Sequence, residues 1–144
     1  MLAAGVDGAG DACGVLAVTV LTSLDRASLS SAWGREVESV PQEVLRLSDL
    51  ARSASARGIV CAGSDAATVR ARHGDALELL VPGIRLAGGD SHDQSRVSTP
   101  RAAIEAGASY LVLGRAVTSA TQPGEVLRRL RTEVAGVERS RGAS

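Results

Sequence analysis

Four short apolar runs, spaced along the chain and separated by stretches of helical character, constrain this sequence more than any other feature. They are Val15 to Leu21, Ile59 to Ala62, Leu77 to Val81 and Tyr110 to Leu113. Each is too short for a helix core and ends in turn-forming or polar residues, so each reads as a strand, the first buried on both faces. Strands alternating with helices predict a parallel sheet. The spacing fits βα units without the glycine fingerprint of a dinucleotide-binding turn. The usual closed barrel of this type has eight strands and about 250 residues. Four strands in 144 residues therefore predict half of a (β/α)₈ barrel.

The helical stretches carry their own start and stop signals. Met1 to Ala4 read as the tail of a helix. A short helix is expected around Leu29 to Glu36. Ser39, Pro41 and Gln42 form the start of the next, with Val44, Leu47, Leu50, Ala51 and Ala54 as its apolar stripe and Gly58 as its end. Ser64 is the expected cap of a helix carrying Ala67, Val69 and Ala71 and stopping near Gly74. After a long polar loop from Arg85 to Ser98, Thr99-Pro100 starts a helix that runs to Gly107. Gly114-Arg115 opens a further loop. Pro123 starts the last helix, with Val126, Leu127, Leu130 and Val134 facing inward. Residues 1–136 read as the folded unit and residues 137–144 as a polar, frayed tail.

Composition narrows the chemistry. The apolar fraction is 44%, enough for a core, but Trp33 and Tyr110 are the only aromatics, so the core must be aliphatic. Formal net charge is zero and no basic patch is interleaved with aromatics, which argues against nucleic-acid binding. No apolar run approaches the length of a membrane-spanning helix, and no basic segment precedes residues 12–21 as in a signal peptide. A cytoplasmic protein is expected. Cys13 and Cys61 lie in apolar stretches and read as small buried hydrophobes. Asp90, His92 and Asp93 invite comparison with a metal cluster, but a polar loop without a further ligand group argues against one. His73 closes a helix, where a cation suits the dipole. Arg128, Arg129 and Arg131 read as a solvated helix face. No Gly-x-Ser-x-Gly elbow is present, which disfavours a hydrolase triad. Every one of the sixteen basic residues is arginine. Arginine keeps its proton near neutral pH, so this chain alone has no lysine acid and no Schiff-base lysine.

Four segments carry a resemblance to a known family. They are Leu16-Ala-Val-Thr-Val-Leu-Thr-Ser23, Gly58-Ile-Val-Cys-Ala62, Val81-Pro-Gly-Ile-Arg85 with Gly-Asp-Ser-His-Asp-Gln94, and Tyr110-Leu-Val-Leu-Gly-Arg115. With Arg96-Val-Ser-Thr-Pro100 between the last two, the chain resembles the C-terminal half of bacterial orotidine 5′-phosphate decarboxylases. The resemblance implies a partial (β/α)₈ barrel whose four strands are the fifth to eighth. It implies decarboxylation of orotidine 5′-phosphate to uridine 5′-phosphate in pyrimidine biosynthesis, without metal or organic cofactor, in a homodimer. A related barrel acting on another sugar phosphate is a weaker alternative, because Thr19 to Ser23 with Asp93-Gln94 favours the pyrimidine enzyme.

In barrels of this kind phosphate sits at the loops after strands seven and eight. Glycine lets backbone N–H groups approach an anion closely, and the planar fork of arginine suits phosphate oxygens. By resemblance, Arg85, Gln94, Gly114 and Arg115 hold the phosphate end, and Thr22 meets the pyrimidine. The resemblance also implies what this chain does not carry. The family's catalytic Asp-x-Lys-x-x-Asp occurs nowhere in it, so no catalytic residue is assigned. The 144-residue chain is expected to be inactive alone, either as a non-catalytic phosphate-binding half-barrel or as the partner of a separate N-terminal half. It is also expected to behave poorly as a monomer, because half a barrel leaves strand edges unpaired at Val15–Leu21 and Tyr110–Leu113.

Overall fold

A computed structural model describes residues 1–85 and 98–141, with side chains described as far as residue 137. The strands are β1 (Leu16–Val18), β2 (Gly58–Val60), β3 (Glu78–Val81) and β4 (Tyr110–Leu111), all paired in parallel in the order β1-β2-β3-β4. The helices are α1 (Leu2–Ala9), α2 (Arg26–Trp33), α3 (Val40–Ser53), α4 (Gly63–His73), α5 (Pro100–Glu105), α6 (Arg115–Thr118) and α7 (Pro123–Arg141). With strands in sequential order, crossovers of the usual right-handed kind put the connecting helices on one face of the sheet. This is the expected four-stranded half of a barrel.

The core lies between that face and the helices. Ile59, Leu79 and Val81 are buried there with Val44 and Ala51 of α3 and Val69 of α4. The cap signals hold at two helices. Ser39 Oγ accepts from the Gln42 N–H at the start of α3, and Thr99 Oγ1 accepts from the Ala102 N–H at the start of α5, each with proline in the first turn.

Several expectations are corrected. The first run is not buried on both faces: Val18 is 57% exposed, because none of the described residues covers the sheet face away from the helices there. Helix α2 begins earlier than expected, capped by Asp25, and stops at Gly34 in the left-handed conformation. Within α3, Leu50 is exposed and Ser48 is buried. The helix ends at Ser53, leaving Gly58 to open β2. Helix α4 is capped at Ala62, without a side-chain bond, and not at Ser64. Its buried face is Ala66 and Val69, while Ala67 and Ala71 are exposed. Residues 67, 69 and 71 alternate, and alternation is a strand period, not a helical one. Leu127 of α7 is exposed. Helix α7 continues past Gly136 to Arg141, and Val137 is buried in the core where a frayed tail was expected.

Candidate functional site

In a parallel α/β sheet, loops leaving the carboxyl ends of the strands are the usual ligand-binding positions. Every described site residue expected from the sequence leaves that end. Register fixes their relation: Leu80 pairs with Tyr110 and Val81 with Leu111, so β3 and β4 end side by side. The segment Pro82 to Arg85 therefore starts next to the segment Val112 to Arg115, and the Val112 N–H still donates to the Val81 carbonyl at 2.9 Å.

Beyond β3, Pro82 cannot donate to a ladder and Gly83 turns at φ 73°, a left-handed angle suited to glycine. The segment is then tied at its base. The Ser98 N–H donates to the Gly83 carbonyl at 3.2 Å, and the Arg85 N–H donates to the Ser98 carbonyl at 2.9 Å. An isolated parallel bridge joins Ile84 to Ser98, and Ile84 is buried. Arg85 thus leaves from an anchored backbone position. It is half-buried, and its Nη1 donates to the Ile84 carbonyl at 2.9 Å.

Beyond β4, Gly114 caps α6 and its carbonyl accepts from the N–H groups of Val117 at 2.9 Å and Thr118 at 3.1 Å. Arg115 is therefore the first residue of a short helix, not part of an open loop, and it is exposed. Among the described residues, no atom lies within 4 Å of where a Gly114 Cβ would sit.

Thr22 is buried beyond β1. Its loop is held by a residue that sequence reasoning missed. Both the N–H and the Oγ1 of Thr19 donate to the Val60 carbonyl, at 3.1 and 2.8 Å. Ser98 was likewise missed as the tie beneath Arg85. Thr19 reads from the sequence as one more strand residue and Ser98 as the end of a loop, so neither carried a signal of its own. Gln94, and the histidine and aspartates at 92, 90 and 93, lie outside the described residues.

The site can offer arginine and backbone donors to an anion. The described chain also contains a serine, a histidine and an aspartate in contact, on the helix side between α3 and α4. His73 ends α4 as expected and is half-buried, with its ring turned in against α3. Its Nε2 lies 2.8 Å from Ser48 Oγ and 3.4 Å from an Asp49 oxygen. Burial pushes its pKa down, against the attraction of Asp49. In a hydrolytic triad, serine and aspartate face different ring nitrogens. Here both face the same one, and Ser48 Oγ donates to the Leu45 carbonyl at 2.7 Å, so the cluster ties α4 to α3 and has no relay geometry. Arg72 makes a two-point contact with Asp49 at 2.9 and 2.8 Å and holds that carboxyl below its ordinary pKa. Cys13 is exposed, against the expectation that it is buried, whereas Cys61 is buried.

Fold and candidate site together define half of an α/β barrel, with arginine-bearing segments at the carboxyl edge of four parallel strands. Comparison with known proteins gives the lineage. Residues 1–130 match the orotidine 5′-phosphate decarboxylase / HUMPS family, and the chain belongs to it. It is 46% identical over 120 residues to the orotidine 5′-phosphate decarboxylase of Thermobifida fusca, covering 83% of this chain and 51% of that protein. Against the enzyme of Pseudoalteromonas translucida it is 45% identical over 114 residues, covering 78% and 47%. The crystal structure of orotidine 5′-phosphate decarboxylase from Lactobacillus acidophilus superposes with a TM-score of 0.71 at 28% identity, over 92% of this chain and 54% of that one. The chain thus spans about half the length of the relatives it matches.

Proposed function

We propose that this chain supplies the phosphate-gripping half of an orotidine 5′-phosphate decarboxylase, the enzyme that forms uridine 5′-phosphate in pyrimidine biosynthesis. One observation carries the reading: β3 and β4 end in register, so the segments bearing Arg85 and Gly114-Arg115 leave the sheet side by side. Two arginines at one sheet end suit a phosphate monoester, which accepts forked, charge-assisted hydrogen bonds. Gln94 joins them in this reading, and Thr22 meets the base. A cytoplasmic setting, a homodimer of the family kind, and the lack of any metal or organic cofactor belong to the same proposal.

The chain holds ligand but does not decarboxylate by itself. Stabilising a carbanion-like transition state and protonating the resulting carbon need a placed acid, and all sixteen Lys and Arg residues are arginine. The test uses chain purified from a host lacking its own decarboxylase. Uridine 5′-phosphate is titrated calorimetrically, and loss of orotidine 5′-phosphate absorbance is followed in parallel. Binding without turnover is expected. Arg115→Ala should weaken binding about tenfold or more, the usual scale for losing a charged hydrogen bond. Unchanged affinity in both Arg115→Ala and Arg85→Ala would overturn the assignment. Adding the N-terminal half of a relative that carries Asp-x-Lys-x-x-Asp decides the rest: turnover supports a catalytic pairing, and its absence supports the non-catalytic half-barrel.

A further inference from the structure

Gly63 opens α4 and is buried where the chain leaves the carboxyl end of β2. Its backbone does not call for glycine, since it is not among the described glycines with positive φ. Its neighbours do. A Cβ added there would lie 2.5 Å from the Ser98 Cβ, 2.9 Å from the Ser98 Oγ and 3.6 Å from Val81 Cγ1 at the end of β3. Carbon atoms pack comfortably at about 3.5–4.0 Å, so the valine could stay while Ser98 would have to move by about an ångström. No side-chain rotation absorbs that shift, because the Cβ of Ser98 moves with its backbone. Gly14 differs: the atoms a Cβ would meet there belong to the long, exposed side chain of Arg57, which can swing aside.

That backbone is the one beneath Arg85. The Ser98 N–H donates to the Gly83 carbonyl, the Ser98 carbonyl accepts from the Arg85 N–H, and Ile84 between them is buried. We infer that Gly63 is a positioning residue for the arginine at this end of the sheet: its missing side chain admits Ser98 to the turn after β3, and Ser98 sets the backbone position from which Arg85 leaves. Gly63 itself touches no ligand. It acts from the connection after β2, whereas Arg85 follows β3, so two neighbouring strand ends share one constraint. The effect on ligand rests on the proposal that Arg85 grips phosphate; the effect on the turn does not. A displaced Arg85 keeps its charge but loses the distance and angle that a forked hydrogen bond needs, so affinity falls while the fold persists.

Amide hydrogen exchange, followed residue by residue by NMR, reads the turn directly. Gly63→Ala should quicken exchange at the Arg85 and Ser98 amides about tenfold, the scale of one lost hydrogen bond. The Ser109 amide, which donates to the Leu79 carbonyl at the other end of the sheet, should exchange as in the parent chain. Uridine 5′-phosphate should bind about tenfold more weakly by calorimetry, the scale of a lost charged hydrogen bond. In a Ser98→Gly background the obstructing Cβ is gone, and Gly63→Ala should then change neither the Arg85 exchange nor the affinity. Unchanged exchange at Arg85 and Ser98 in Gly63→Ala overturns the inference. So does quickening that spreads to Ser109 or persists undiminished with Ser98→Gly, since each describes loosened packing and not a displaced tie. Quickened exchange with unchanged affinity, in a parent that binds, overturns it as well. If Gly63→Ala alone does not fold, the double variant decides: it must fold with the Arg85 exchange of Ser98→Gly, and its failure overturns the inference. A parent chain that binds no uridine 5′-phosphate overturns the phosphate proposal and with it the expected loss of affinity, while the exchange rates still decide the turn.

Discussion

The two ends of the sheet are finished by different means. At the amino end, side chains close the structure. Arg70 reaches from α4 and donates to the carbonyls of Gly74, Leu77 and Gly107, which precede β3 and β4. Ser109 exchanges bonds with β3: its N–H donates to the Leu79 carbonyl at 2.8 Å, and its Oγ accepts from the Leu79 N–H at 3.1 Å. At the carboxyl end, backbone does most of the tying, through Ser98 with Gly83 and Arg85, and the arginine of α6 stays exposed. Arg70, spread over three carbonyls, holds the fold. The contrast matches the division of such barrels into a stabilising face and a ligand face.

Mutations at the two ends should separate along that line. Arg70→Ala should cost the most stability, about 3 kcal/mol in urea unfolding, because it strips charged donors from several carbonyls at once. A loss within error would mean the amino end is not held by this residue. Gly107→Ala should cost about 1–2 kcal/mol, since φ there is 99° and a Cβ would lie 2.9 Å from Arg70 Nε. Its cost should shrink in the Arg70→Ala background, where the steric part disappears.

A third test lies on the helix layer. The pKa of His73 is lowered in the fold, first by burial, so the folded state favours the neutral ring. As pH falls through the ordinary imidazole range, the unfolded chain takes up the proton first, and stability drops until the depressed folded pKa is passed. His73→Gln should flatten that part of the stability–pH curve, and an unchanged slope would assign the acid sensitivity elsewhere. Smallest of all, Arg115→Ala should change stability by no more than about 0.5 kcal/mol while weakening uridine 5′-phosphate. A large stability loss would blur the contrast between the two ends.

Much of this was legible in the sequence. The four apolar runs located every strand, and the Ser39 and Thr99 caps set two helix starts, because those signals are local. The position of Arg85 and Arg115 just behind strand ends was legible as well. What escaped depends on contacts remote in sequence. Leu50 looks like a core residue by spacing, yet it faces out, while Ser48 is buried because it meets His73. Cys13 sits in an apolar stretch but lies before the sheet begins, where little covers it. Thr19 and Ser98 position Thr22 and Arg85 through the Val60 and Gly83 carbonyls, partners that no local pattern names. The uncovered face of β1 could be inferred from counting strands, but not from its composition, which is that of a buried strand.

Trp33 closes α2 against the edge of the core, and the guanidinium groups of Arg35 and Arg46 lie 4.9 and 5.9 Å from its ring. Both arginines also grip Glu43 at 2.7 Å, so the indole, the two cations and the first turn of α3 form one unit. Because this is the chain's only tryptophan, its emission is an intrinsic optical gauge of that junction. Release of α2 from α3 would register as a spectral change with no dye attached and no competing fluorophore of the same kind.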